Sequence, residues 1–134
     1  MPSRFGFALH RDDDYYIEGP RHGALESGII LGAFSRLYYL TDDEWYSDTA
    51  HKLFDVLTEL RQSTSDDLWV TTVNEDGYLW FEEDPTHPPA HTLNGKLFAI
   101  FGVNNYCQVS SSDAVKDLIR GVQTARFLTL ELGL

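Results

Sequence analysis

Residues Trp80 to Phe101 read WFEEDPTHPPAHTLNGKLFAIF, and three kinds of local signal meet in them. An aromatic strand end, Trp80-Phe81, runs directly into the carboxylates of residues 82–84. The loop Pro85 to Ala90 contains three prolines, which fix φ and prevent strand or helix from continuing. Asn94-Gly95 then opens an apolar helix. Carboxylates beside aromatics on a stiff loop are typical of a ligand-facing site; a solvated acidic strand end followed by an ordinary loop is the alternative.

Length and composition predict a single domain over residues 1–134. Hydrophobic content of 43% and aromatic content of 13% exclude wholesale disorder. The single cysteine, Cys107, ends an apolar run, which favours a buried, inert thiol over a nucleophile.

The formal charge of −11 argues against nucleic acid and anionic membrane surfaces as partners. The N-terminus lacks the apolar core of a signal peptide, and no run approaches the ~18 apolar residues of a membrane span. A cytoplasmic protein is therefore expected. No phosphate loop, dinucleotide fingerprint or Ser-His-Asp constellation is present, so no cofactor is predicted.

The first half of the chain predicts a lead-in and two helices. Residues 1–20 are expected to be irregular or to form short strands, with Asp12 to Asp14 as a solvated turn or, alternatively, a cation site. Gly23 to Leu40 is apolar around most of its circumference, as in a buried helix, and Gly28 and Gly32 permit a close neighbour. Thr41 to Glu44 matches a capping box, and a one-faced outer helix should run from it to about Arg61.

The second half predicts a β-hairpin and two more helices. Residues 68–81 are rich in β-branched and aromatic side chains around an Asp76-Gly77 turn signal. A third helix, Leu93 to Tyr106, is again apolar nearly all round, and a fourth with one apolar face starts at the 111–113 cap and runs to about Glu131. The predicted fold is mostly α: a partial (α/α) toroid of about four helices, the first and third inside, with one β-hairpin.

The central residues resemble a known family. Trp80 to Thr86 match a Trp-aromatic-Glu-Glu-x-Pro-Thr segment, Leu93 to Gly95 match Leu-Asn-Gly, and Phe101-Gly102 closes the helix. The helix around Gly28 to Thr41 matches more loosely. On these motifs the chain resembles the C-terminal helical domain of D-glucuronyl C5-epimerases, over about residues 15 to 130. Those enzymes invert the fifth carbon of glucuronic acid in heparan-type polysaccharides.

The resemblance implies a catalytic role for Glu83 in proton transfer at C5. Asp84 occupies the position where the family has a tyrosine implicated in catalysis. The family also draws tyrosines and a substrate-binding arginine from a segment beyond its last matched helix. We therefore expect the chain to be incomplete, and to act as a homo-oligomer or with a separately encoded remainder of the toroid.

The candidate substrate-binding residues surround Glu83 or face the same predicted groove: Trp80, Glu82, Asp84, Asn94, Arg36 and Tyr78. Each has a structural alternative, such as an N-cap for Asn94, a packing role for Tyr78, or a solvated arginine near a helix end for Arg36. By alternation, one of Trp80 and Phe81 should point into the core. His87 and His91 form a conceivable zinc pair, but Pro88-Pro89 between them favours two solvated loop histidines, and no metal is predicted.

Two functional hypotheses follow from the residues and the resemblance. The first is an epimerase domain that acts on a uronic-acid polysaccharide or oligosaccharide through Glu83. The second is a carbohydrate-binding or remnant domain without turnover, or one subunit of a split epimerase.

Overall fold

The computed structural model describes residues 9–12, 15–17, 22–61, 69–86, 88–113 and 115–120. The elements are β1 (Leu9–Asp12), β2 (Tyr15–Ile17), α1 (Ala24–Thr41), α2 (Glu44–Leu57), β3 (Thr71–Val73), β4 (Leu79–Phe81) and α3 (Leu93–Val109). A fourth helix, α4, starts at residue 113 and is described as far as 120. The prediction of a mostly helical fold with a β-hairpin is confirmed. The predicted connector at 62–67, His87 and the end of the fourth helix lie outside the described residues.

The lead-in contains a second two-stranded sheet, so the short-strand alternative holds there. β1 and β2 pair antiparallel, with Leu9 opposite Ile17 and an irregular step between His10 and Asp12. Residues 13–14, the end of the predicted acidic turn, lie outside the described part of the chain.

Helices α1 and α3 run parallel and touch through their backbones. A side chain at Gly28 would meet Ala99 at 2.6 Å, and one at Gly102 would meet the Gly28 Cα at 2.8 Å. One turn further along both helices, Gly32 faces Gly102 and Asn105. Only glycine allows two helix backbones to approach this closely, so the predicted close approach at Gly28 and Gly32 is confirmed.

The burial of α1 is one-sided, and the prediction of a helix buried all round is wrong. Its buried residues repeat every three or four positions: Ala24, Ser27, Gly28, Leu31, Gly32 and Ser35. On other sides Ile29 is 52% exposed, and Tyr39 and Leu40 are more exposed still. On α3, Phe98 and Phe101 are exposed in the same way. The apolar character of the two helices therefore exceeds what the described residues bury.

The turn between α1 and α2 is not a capping box at Thr41. α1 continues through Thr41, and Asp42 closes it in the left-handed region (φ 55°), with its N–H bonded to the Tyr38 carbonyl. Asp43 is the N-cap of α2, because its side chain accepts the Trp45 N–H at 3.0 Å. A carboxylate directly before the helix replaces the predicted Thr41–Glu44 pair.

Helix α2 ends at Leu57, four residues before the predicted Arg61. The Thr71 hydroxyl donates to the Leu57 carbonyl at 2.7 Å, and the Glu59 carbonyl accepts the Thr71 N–H at 3.1 Å. Pairing with the start of β3 therefore replaces the next helical turn. The predicted one-faced packing of α2 is confirmed, since Ala50, Leu53 and Leu57 are its buried residues.

The two strands of the hairpin are shorter than the apolar pattern over residues 68–81 suggested. The acidic residues follow directly after the end of the second strand. β3 and β4 pair antiparallel, with Thr72 opposite Trp80 and Val73 opposite Leu79. The turn is closed by the Asn74 side chain, which accepts the Asp76 and Tyr78 N–H groups, and Gly77 takes φ 84°. The turn chemistry predicted from Asp-Gly is confirmed, and β4 leads directly into Glu82.

In the described part of the chain, no helix combines the length and the apolar character needed to cross a membrane.

Candidate functional site at the start of helices α1 and α3

The backbone of Glu82 joins the hairpin to α1. Its N–H donates to the Val70 carbonyl at 2.8 Å, and its carbonyl accepts the Ala24 N–H, also at 2.8 Å. Ala24 is the first residue of α1, whose N-cap Gly23 has no side chain to offer. The strand end thus supplies an acceptor for one of the N–H groups that a helix start leaves without an intrahelical partner.

The side chain of Glu82 is buried and binds His91. Glu82 is 0% exposed, and its two oxygens accept the His91 backbone N–H at 2.9 Å and contact His91 Nδ1 at 2.5 Å. His91 itself takes φ 54°, a left-handed conformation that turns both its N–H and its ring toward the carboxylate. The Glu82 carboxylate is thus enclosed by His91, and the assignment of Glu82 to substrate binding stays a prediction. The expectation of a solvated His91 is wrong, because its ring and its backbone N–H are held by Glu82.

Trp80 is the packing partner of this pair rather than an exposed stacking surface. It is 7% exposed, and its ring lies 4.7 Å from the His91 ring, centroid to centroid. The Lys96 ammonium sits 3.8 Å from the Trp80 ring centroid, and Lys96 is 0% exposed. Phe81 is also buried, so the predicted division between an inward and an outward aromatic is wrong: the hairpin end is covered on both faces. The Trp80 ring is therefore covered by His91 and Lys96 and does not present an exposed face on which a sugar could stack.

Glu83 caps α3 from another part of the chain. The N-cap residue Thr92 makes no side-chain capping bond, and the Glu83 Oε2 instead accepts the Gly95 N–H at 3.1 Å. A Cβ at position 95 would fall 2.7 Å from the Glu83 Cα, so glycine is required for this approach. Glu83 remains half-buried, in contrast to Glu82. A carboxylate in the first turn of a helix is electrostatically favourable, because the free N–H groups there carry partial positive charge.

The remaining predicted residues divide into neighbours of Glu83 and distant ones. Asp84 is half-buried and its carbonyl accepts the Thr86 N–H at 2.8 Å. Asn94 is exposed in the first turn of α3, and it is not the N-cap. Tyr78 lies at the other end of β4, two residues before Trp80.

Arg36 lies away from this cluster, in a groove between α1 and α3. It follows Ala24 by twelve positions, about 18 Å along the helix axis. The groove has a volume of about 280 Å³ and is lined by Arg36, Ile29, Phe98, Phe101, Asn105 and the helix glycines. The structure therefore does not bring Arg36 together with Glu83.

Two residues of the cluster were missed from the sequence. Lys96 gave no signal, because a lysine within an apolar helix is usually read as reaching solvent along its stem. His91 was predicted to be a solvated loop histidine, with a zinc ligand as the alternative; its position nine residues after Glu82, across a proline-rich turn, was the available hint. Among the described residues, no group of three or more His, Cys, Asp and Glu side chains is placed to hold a metal ion.

A known protein family matches almost the whole chain. The family described as D-glucuronyl C5-epimerase C-terminus matches residues 2–128. The chain belongs to this epimerase family. The match covers every element of the fold, including the Glu82–Glu83 pair and the Leu93–Gly95 helix start. No curated protein matches the sequence.

Proposed function

We propose that this C5-epimerase domain binds a uronic-acid-containing polysaccharide or oligosaccharide beside the start of α3, and that Glu83 transfers the proton at C5. The observation that carries the proposal is the position of Glu83: a half-buried carboxylate fixed on the Gly95 N–H at the helix start. The neighbouring Glu82 is enclosed with His91, so Glu83 is the member of the pair that a ligand can reach.

The chemistry asks for one group on each face of the sugar ring. A base removes the C5 proton, negative charge develops on the adjacent carboxylate, and an acid returns a proton to the opposite face. Glu83 supplies one of these groups. Asp84 occupies the position where the family has a tyrosine. It directly follows Glu83 and is half-buried, so it is the nearest titratable group in the sequence that could supply the other.

Exchange of the C5 proton with solvent deuterium tests the role of Glu83. A glucuronic-acid oligosaccharide is incubated in D₂O with the wild type, with Glu83→Gln, and with Glu59→Gln as a matched control at an exposed glutamate. Glutamine keeps an acceptor for the Gly95 N–H but does not take up a proton, so exchange should fall by about 10²-fold or more in Glu83→Gln alone. Equal exchange in Glu83→Gln and the wild type would refute the assignment.

A second candidate function is carbohydrate binding without turnover. It is favoured by the replacement of the family's tyrosine by Asp84 and by the enclosure of Glu82, which together leave one reachable carboxylate of the Glu-Glu pair. No exchange in any of the three folded proteins, with retained oligosaccharide binding, supports this candidate over the first.

We also propose that the exposed apolar residues of α1 and α3 are covered in the working assembly. Ile29, Leu37, Phe98 and Phe101 are between 38% and 54% exposed, and they lie on the two helices that the toroid prediction places inside. Either a second copy or separately encoded helices of the same toroid would bury them. Light scattering coupled to size-exclusion chromatography separates the two: a defined oligomer supports a second copy, and a monomer that binds an apolar dye supports separate helices. A monomer that binds no dye contradicts both.

A further inference from the structure

A cleft of about 450 Å³ includes His91, the partner of Glu82, in its lining. It is formed where the end of α2, the hairpin turn and the proline loop meet, and its lining includes Arg61, Thr72, Asn74, Asp76, Pro88 and His91. This volume is within the range of small-molecule sites in proteins, roughly 300–1,000 Å³. We call it the Arg61 cleft.

His91 is presented to the cleft in a fixed orientation. Its Nδ1 and its backbone N–H are both held by the buried Glu82 carboxylate. The ring meets Glu82 through Nδ1, so Nε2 is the ring nitrogen that can meet a ligand. The ring is also packed on Trp80, and the side chain is 32% exposed. A side chain whose orientation is fixed by hydrogen bonds to a buried partner is characteristic of a binding site rather than of a solvated loop.

Arg61 supplies the positive charge of the cleft. Its guanidinium lies 5.5 Å from the centroid of the Trp69 ring, and Trp69 is 1% exposed. A cation–π contact with a buried aromatic favours this position of the guanidinium, and its N–H groups can pair with a carboxylate. The protein has a net charge of −11, so a half-buried arginine in a cleft provides a local positive charge that could attract an acidic group of a ligand.

The hairpin turn adds groups suited to sugar hydroxyls. Asn74 uses its side-chain oxygen on the Asp76 and Tyr78 N–H groups, which leaves its amide nitrogen as a donor. Glu75 and Asp76 are exposed on the turn and line the same cleft. Carboxylates accept hydrogen bonds from hydroxyl groups, and the Asn74 amide nitrogen can donate one to them.

We propose that the Arg61 cleft is a subsite for an acidic sugar residue, with Arg61 pairing to the sugar carboxylate and His91 Nε2 and the turn residues bonding its hydroxyls. The proposal rests on the proposed function only for the ligand class, a uronic-acid saccharide. The subsite is joined to the Glu83 segment through Glu82, which is adjacent to Glu83 in sequence and bonded to His91.

Calorimetric titration with two oligosaccharides tests the subsite without requiring turnover. One contains glucuronic acid, and the other is its carboxyl-reduced form, in which each glucuronic acid has become glucose. The wild type should prefer the acidic form by about 10-fold or more, the value expected for a charge-assisted pair. Arg61→Gln should reduce this preference, because only the contribution of the second site is lost, and Arg120→Gln, on the exposed surface of α4, should leave it unchanged.

His91→Asn tests the second contact with little change to the backbone. Asparagine tolerates the positive φ and retains an N–H for Glu82, but it lacks a group equivalent to Nε2. Affinity for both oligosaccharides should fall by a similar factor, about 3- to 10-fold, with the preference for the acidic form unchanged.

The outcomes separate this subsite from the role of Glu83. A preference for the acidic form that is as large in Arg61→Gln as in the wild type, or equal binding of the two sugars by the wild type, overturns the subsite whatever the exchange assay gives. A preference that depends on Arg61, in a protein that does not exchange the C5 proton, supports the subsite and rejects the proton-transfer role of Glu83.

Discussion

Replacing Gly102 with alanine is expected to destabilise the protein although alanine is the better helix former. A Cβ at position 102 would lie 2.8 Å from the Gly28 Cα and nearer still to the Gly28 carbonyl oxygen. Carbon atoms pack at about 3.5–4.0 Å, so α1 and α3 must separate by about 1 Å along their contact. Both clashing groups are backbone atoms of Gly28, which cannot move aside as the end of a side chain can. The free-energy cost should therefore lie near the upper end of the range for overpacked cores, about 3 kcal/mol. Helix propensity returns about 1 kcal/mol, so the free energy of unfolding should fall by about 2 kcal/mol.

Gly32→Ala is the matched control within the same interface. A Cβ there would meet the Asn105 amide nitrogen at 3.1 Å and the Gly102 Cα at 3.6 Å. The asparagine side chain can move, so propensity should dominate and stability should stay constant or rise by up to about 1 kcal/mol. Thermal unfolding followed by far-ultraviolet circular dichroism measures both. A loss of about 2 kcal/mol corresponds to a drop in Tm of roughly 8 °C for a domain of this size. If Gly102→Ala is as stable as Gly32→Ala, the helices do not meet backbone to backbone as described.

Two further substitutions test contacts described above. Thr71→Val removes the hydroxyl that donates to the Leu57 carbonyl at the end of α2, and urea unfolding should register a loss of about 1–2 kcal/mol, against no more than about 0.5 for the exposed Thr49→Val. Burial raises the pKa of Tyr106 above its usual 10.0, so its neutral form stabilises the fold fully below about pH 10 and progressively less as pH rises through the raised value. Tyr106→Phe, which also loses the 2.8 Å bond to His51, should be the less stable protein at neutral pH, and its unfolding curve should converge on that of the wild type above pH ~10; parallel curves would exclude the linkage.

Local signals in the sequence were enough to predict most elements of the fold. Gly28 and Gly32, one turn apart in an apolar helix, predicted the close approach of α1 and α3, and Asp76-Gly77 predicted the hairpin turn. The end of α2 was wrong because residues after Leu57 fit a helix equally well until Thr71, fourteen positions away, takes the Leu57 carbonyl. A contact between distant segments overrode the local pattern there.

The site was predictable as a segment but not as a set of contacts. The family motif located Glu82 and Glu83, yet adjacent glutamates look alike in a sequence. Their difference comes from partners nine and twelve residues later: His91 encloses Glu82, and the Gly95 N–H holds Glu83. The buried Lys96 over Trp80 depends on how the hairpin packs on α3, which a periodic pattern does not encode.

Glu82 joins four parts of the chain: the Val70 backbone, the first residue of α1, the proline loop through His91, and its own strand. A relative that had lost its reaction would still need this carboxylate to hold the loop through His91, whereas the start of α1 uses only the backbone of residue 82. The presence of this glutamate in a sequence is therefore a mark of correct folding and says nothing about turnover. In related chains, the residues to inspect for lost or altered chemistry are the two that follow it, at positions 83 and 84.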